Sequence, residues 1–150
     1  MKQLFWGGLL LCAVMGTAWA DAPPPAMATR KPVKVSTSEV AGSIFHSRFA
    51  FPDTASTDGP ATEVVMLRSK DRKFEVGLYE AGPSESDIDA YSENEFFFIV
   101  EGAITLTSAD GSVVAAKAGE GVAIPKGWKG HWSTKGYKKY YVTYDSPAGK

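Results

Sequence analysis

A glutamate, Glu95, heads the most apolar run in the chain, Phe96-Phe97-Phe98-Ile99-Val100. Facing an apolar interior, such a carboxylate keeps its proton above the usual range and becomes fit for general acid–base work. The plainer alternative is a strand-entry glutamate held by backbone donors or by Lys and Arg partners. Other groups with chemistry to offer lie close to it in sequence or in the second half of the chain. Asp89 and Tyr91 precede Glu95 by six and four residues, Phe97 follows it, and Trp128, His131 and Trp132 cluster further on. Tyr91 supplies a hydroxyl or simply a ring for packing. Trp128 and Trp132 make an aromatic wall suited to a small organic ligand, or fill a core. Lys135, Lys138 and Lys139 form a short basic cluster that reads as a solvated edge discouraging strand-to-strand aggregation. The acidic stretch around Glu85, Asp87, Asp89 and Glu93 reads as a solvated loop.

These residues need a scaffold, and 150 residues with 44% hydrophobic and 22% charged content are enough for one globular domain. The first twenty residues read as a signal peptide: Lys2 supplies the positive end, an apolar stretch follows, and Ala18-Trp19-Ala20 offers a small-x-small cleavage site. That reading makes the protein periplasmic or secreted. Cleavage removes Lys2 and the single cysteine, Cys12, and leaves 15 basic against 17 acidic residues. Disulfides, thiolate metal sites and cysteine nucleophiles are then excluded. Near-neutral charge gives no reason to expect nucleic acid, or a membrane after cleavage, as a partner.

Residues 21–32, with Pro23-Pro24-Pro25 and Pro32, read as an extended linker. Residues 33–61 are a lead-in segment in which an edge strand and a short helix fit equally well. From residue 62 to 146 the pattern has a period of two, so an all-β barrel or jelly roll is expected. Strands are expected over 62–68 and 73–80, a loop over 81–94, and a hairpin of 95–100 with 103–107 closed at Glu101-Gly102. Further strands are expected over 112–117, 121–124, 130–133 and 137–144. The Phe96–Val100 run does not alternate, so both its faces should be buried. One face fills the barrel, and the other calls for a cover from the lead-in strands or a second subunit; a homodimer is expected.

The spacing then becomes specific. Glu95 lies seven residues before Gly102, and Gly119 is followed by Pro125-Lys126-Gly127 and then by Gly130. Residues 77–80, 91–102 and 119–132 resemble the paired motifs of the cupin superfamily, a double-stranded β-helix fold. The likeness is nearest to the subfamily that includes (S)-ureidoglycine aminohydrolase and the EutQ-like ethanolamine-utilisation proteins. In that superfamily three histidines and a glutamate converge on a divalent metal. Here Asp89, Tyr91 and Gly130 stand at the histidine positions and only Glu95 matches. His131 is one step out of phase and should face the opposite side of its strand. No cofactor is expected. A divalent metal, if one binds, falls to Asp89, Tyr91, Glu95 and His131.

The sequence thus leads to an exported, dimeric cupin binding a small polar metabolite in a pocket bounded by Tyr91, Glu95, Phe97, Trp128 and Trp132. Whether it catalyses anything stays open, and Glu95 is the candidate catalytic group. One alternative is a metal-dependent enzyme related to ureidoglycine aminohydrolase with a non-standard metal site. Another is a structural or regulatory partner protein.

Overall fold

The computed structural model of the chain describes residues 32–54 and 60–146. The expected signal peptide and most of the linker lie outside the described residues. The lead-in segment is helical first: α1 (Thr37–Ala41) opens on a capping box in which Ser36 and Glu39 satisfy each other's backbone donors. A 3-10 turn (Ser43–His46) follows, and then β1 (Phe51–Pro52). The remaining strands are β2 (Ala61–Arg68), β3 (Phe74–Ala81), β4 (Ser84–Ile88), β5 (Asn94–Ser108), β6 (Val113–Lys117), β7 (Gly121–Ile124) and β8 (Gly130–Tyr144).

Two expectations are corrected here. The stretch 95–107 is not a hairpin: β5 runs straight through Glu101-Gly102 with irregular register on either side. Gly102 has a positive φ of 79° and lies against the backbone of Gly136, where a Cβ would come within 2.0 Å of the Gly136 carbonyl oxygen. The glycine is there for close approach of two strands, not for a turn. The stretch 81–94 is not all loop either, because Ser84–Ile88 pairs antiparallel with the first half of β8.

β5 and β8 are the two fifteen-residue strands, and they pair with each other along most of their length. Their ends are shared out. One half of β8 pairs with β3 and the other with β4. One half of β5 pairs with β7 and the other with β6. The result is two antiparallel layers that fold over each other through two shared strands, a jelly-roll arrangement.

Alternation along these strands sorts the side chains. Phe97, Ile99, Ile104, Leu106, Ile124, Trp132, Tyr137 and Tyr141 form the inner core. On the outer face of β2 and β3, Val64 and Leu78 are sealed by Val40 and Phe45 of the lead-in segment. The same face continues uncovered as a row across five strands, Leu67–Val76–Val142–Phe96–Ala123. Within the single chain, the inner face of the Phe96–Val100 run is buried, and on the outer face Val100 packs against the lead-in cluster. Phe97 and Ile99 are fully enclosed, while Phe96 is 51% and Phe98 39% exposed.

Candidate functional site

Three inward rows cross the larger layer: Glu63–Tyr79–Lys139–Ile99, Gly77–Tyr141–Phe97–Val122, and Glu75–Thr143–Glu95–Ile124. Between these rows and Trp132 and Tyr137 lies a cavity of about 220 Å³. Its mouth is edged by Ile88, Ser92 and Glu93, and Asp53 and Glu63 close the opposite wall. It is smaller than a drug-sized site, so any occupant is small.

The backbone fixes Tyr91 at that mouth. Its N–H donates to the Trp128 carbonyl at 2.8 Å, and its carbonyl accepts from the Gly127 N–H at 2.7 Å. The turn of the second motif thus holds the loop of the first. From there the Tyr91 hydroxyl donates to one oxygen of Glu95. The other oxygen accepts from Lys139 Nζ at 2.7 Å. Glu95 and Lys139 are each 5% exposed. Burial and the adjacent carboxylate push the Tyr91 phenol well above its ordinary range, so it stays a proton donor.

Lys139 is the residue that sequence reasoning misplaced. It is not part of a solvated basic edge. Tyr137, Lys139 and Tyr141 alternate inward together, whereas Lys138 points outward to Glu80 and Glu101. The strand period carries that signal, and a run of neighbouring lysines hides it. The buried ammonium is ringed by aromatic faces: Phe97 at 4.7 Å, Tyr79 at 5.3 Å, Trp132 at 5.5 Å, Tyr137 at 5.6 Å and Tyr141 at 5.9 Å. Such rings stabilise a cation by their quadrupole and at the same time exclude water.

A second polar cluster closes the far wall. The Tyr141 hydroxyl lies between Glu63, to which it donates, and Glu75, whose oxygen is 2.7 Å away. Glu75 is paired with Arg68. The ring of Tyr141 occupies the space over Gly77, where a Cβ would fall 2.5 Å from its hydroxyl oxygen. Tyr79 donates to Asp53 at 2.9 Å. Glu63 is pushed up to about 7, first by burial and further by Glu75 and Asp53, with the Tyr141 hydroxyl pulling the other way. Its distance in sequence from Tyr141 and Asp53 left no local signal.

Of the expected pocket residues, the structure brings Tyr91, Glu95 and Trp132 together on the cavity wall. Phe97 lies beneath Lys139, and Trp128 stands behind Tyr91 with its ring edge-on and its N–H bonded to Ser108. Both support the wall without lining it. Asp89 is exposed in the loop after β4. His131 faces outward and pairs with Asp87 at 2.7 Å. Position 130 is shut, since a Cβ there would lie 2.3 Å from the Thr107 carbonyl and 2.5 Å from the Trp128 ring. The residues present do not fit a divalent cation: both Glu95 oxygens are engaged, an ammonium sits against one of them, and the other three positions supply no ligand. Among the described residues no group of three or more acidic, His or Cys side chains is arranged to hold a metal.

The comparisons with known proteins bear on the fold. Residues 68–141 match the model for the EutQ-like cupin domain. That stretch, just under half of the chain, is similar to the EutQ-like cupin domain. The EutQ protein of Clostridium difficile superposes with a TM-score of 0.51 at 24% identity, over 75% of this chain and 81% of that one. A structural-genomics protein of unknown function from Rhizobium leguminosarum gives 0.52 at 18% identity, over 77% and 99%. An ethanolamine utilization protein Q from Salmonella typhimurium gives 0.50 at 19% identity, over 59% and 72%. At these identities the likeness is one of fold. No curated protein matches the chain in sequence.

Proposed function

We propose that this protein binds a small polar metabolite inside the cupin barrel. The observation that carries the reading is a cavity of about 220 Å³, open on one side, in which hydroxyls, carboxylates and one ammonium converge among aromatic walls. That combination of shape, apolar surface and few oriented polar groups characterises small-molecule sites. A metal-dependent enzyme related to ureidoglycine aminohydrolase would need Asp89 and His131 to join Glu95, and neither side chain faces the cavity. The binding reading needs no such rearrangement.

The test is a thermal-shift screen of small polar metabolites against the intact chain and against Ser92→Trp, which plugs the mouth from an exposed position. Compounds that raise the melting temperature of the first and not of the second support the reading. Shifts of equal size in both proteins would place binding elsewhere and overturn it.

Two further properties belong to the proposal. The N-terminal twenty residues direct export to the periplasm or the medium. A second copy of the chain covers the outward row containing Leu67 and Phe96, because an exposed, uncharged row can pack on itself about a two-fold axis.

A further inference from the structure

Resting on that reading, we infer that the occupant is a small aldehyde or ketone, which the amine of Lys139 captures as a reversible iminium while Glu95 moves the protons. The first argument is placement. Lys139 is the one amine among the described residues that line the cavity. Lys138, next in the strand, serves Glu80 and Glu101 outside. A lysine that only balanced the charge of Glu95 would need no open space beside it. This one stands on the wall of about 220 Å³ of space that opens past Ile88, Ser92 and Glu93.

The second argument is the proton. Addition to a carbonyl needs an electron pair on nitrogen, and an ammonium offers one only after a proton leaves. Glu95 Oε1 accepts from Lys139 Nζ at 2.7 Å, within reach for direct transfer. The Tyr91 hydroxyl donates to the other oxygen of the same carboxylate and so acts as a positioning residue, fixing which oxygen faces the amine. The nitrogen adds to the carbonyl carbon, forming the C–N bond as the carbonyl π pair moves to oxygen. That oxygen takes the proton held by Glu95. The restored carboxylate accepts a second proton from nitrogen and passes it to the hydroxyl, the C–O bond breaks, and water leaves. Of the ammonium's three hydrogens, two end in the water and one stays on the iminium nitrogen. The charge is the same at the end as at the start.

The third argument is the surroundings of the product. Five aromatic rings lie within 4.7–5.9 Å of Lys139 Nζ. An iminium carries the same charge on the same nitrogen, so the rings and Glu95 that hold the ammonium hold the product as well. Those rings also keep water from the C=N bond, whose hydrolysis is the reverse step. The size of the cavity restricts the guest to a few carbons, and Ser92 and Glu93 at the mouth offer acceptors to a hydroxyl on it.

Reductive trapping on the full chain tests this, with glycolaldehyde and hydroxyacetone as probes. Sodium cyanoborohydride delivers hydride to the iminium carbon and leaves a stable secondary amine, and peptide mass mapping over time reads its position. Lys139 should be modified at least about tenfold faster than the exposed Lys73 and Lys117, because neither of those has the buried proton acceptor. Lys139→Arg should remove that adduct and leave the surface adducts in place. Ser92→Trp should slow labelling at Lys139 and leave the surface lysines at the parent rate; equal labelling of Lys139 in both would overturn capture through this cavity. Adducts confined to exposed lysines, with Lys139 unmodified, would overturn the carbonyl assignment. If the metabolite screen then still yields compounds sensitive to Ser92→Trp, the small-molecule reading stands alone. If it yields none, both readings fall together.

Discussion

Two carboxylates face the same barrel interior and are held in opposite ways. Glu95, on β5, has an ammonium on one oxygen and a phenol on the other. Glu63, on β2, has a phenol and two neighbouring acids, while the guanidinium near it, that of Arg68, is paired with Glu75. The same sheet buries Glu95 and half-buries Glu63, so burial alone does not decide their chemistry. The partner does. A buried charge is tolerated when an opposite charge accompanies it, and otherwise the group takes up a proton or waits for a ligand. In cupins of the usual type a metal ion keeps company with the glutamate of the first motif. In this chain an amino-acid side chain, that of Lys139, stands beside it.

The most severe way to break the contrast is to remove the ammonium. Lys139→Met leaves Glu95 buried with Tyr91 as its one partner, a situation that destabilises folds by about 3–5 kcal/mol. Chemical denaturation should show that loss at neutral pH. The double variant Lys139→Met with Glu95→Gln should recover much of it, since a neutral amide needs no counter-charge. A double variant no more stable than the single one would mean that the lysine acts through packing among the rings and not through Glu95.

A smaller effect belongs to Glu63, and its sign follows from linkage. The ordinary carboxyl value is 4.5, and in the folded chain it is pushed up to about 7. Below pH 4.5 both states hold the proton and the contribution to stability is complete. As the pH rises from 4.5 through 7 the unfolded chain ionises first, and stability falls. With a discount for its partial contact with solvent, the fall is roughly 2 kcal/mol. Urea unfolding between pH 4.5 and 8 should show this slope in the parent chain, and Glu63→Gln should flatten it. A parent profile that rises over the same interval would show Glu63 to be ionised and compensated in the folded state, closing the gap between the two carboxylates.

The contrast was half legible in the sequence. Motif spacing located Glu95 and Tyr91, and strand alternation put Trp132 inward and His131 outward, because both are local properties of an extended chain. Lys139 was hidden by its neighbours, since Lys135 and Lys138 make a basic cluster look like surface. Glu63 and Asp53 meet Tyr141 and Tyr79 only through pairing of strands distant in sequence, which no short window contains. The Glu101-Gly102 dipeptide carried a turn signal that the fold uses for another end: Gly102 lets β5 and β8 touch backbone to backbone. Local chemistry read from residue types was sound where a strand's own period decided it, and failed where a distant strand did.

The outer face of β5 supplies the mildest test, and it separates the cavity from the assembly. Phe96 alternates with Glu95 and Phe97, so it points away from the site and leaves about half its surface in water. Phe96→Ser should change the stability of the isolated subunit by no more than about 0.5 kcal/mol, as expected for an exposed position. Probe binding and the pH slope of Glu63 should remain as in the parent. What should change is the sedimentation coefficient, from that of a dimer to that of a monomer, because the row from Leu67 to Ala123 loses its largest member. A parent chain that sediments as a monomer would refute the second-copy cover and leave the two carboxylates untouched. If Phe96→Ser instead shifted the Glu63 profile, the pairing of β5 with β8 would be transmitting the outer contact to the inner wall, and cavity and assembly would be one system.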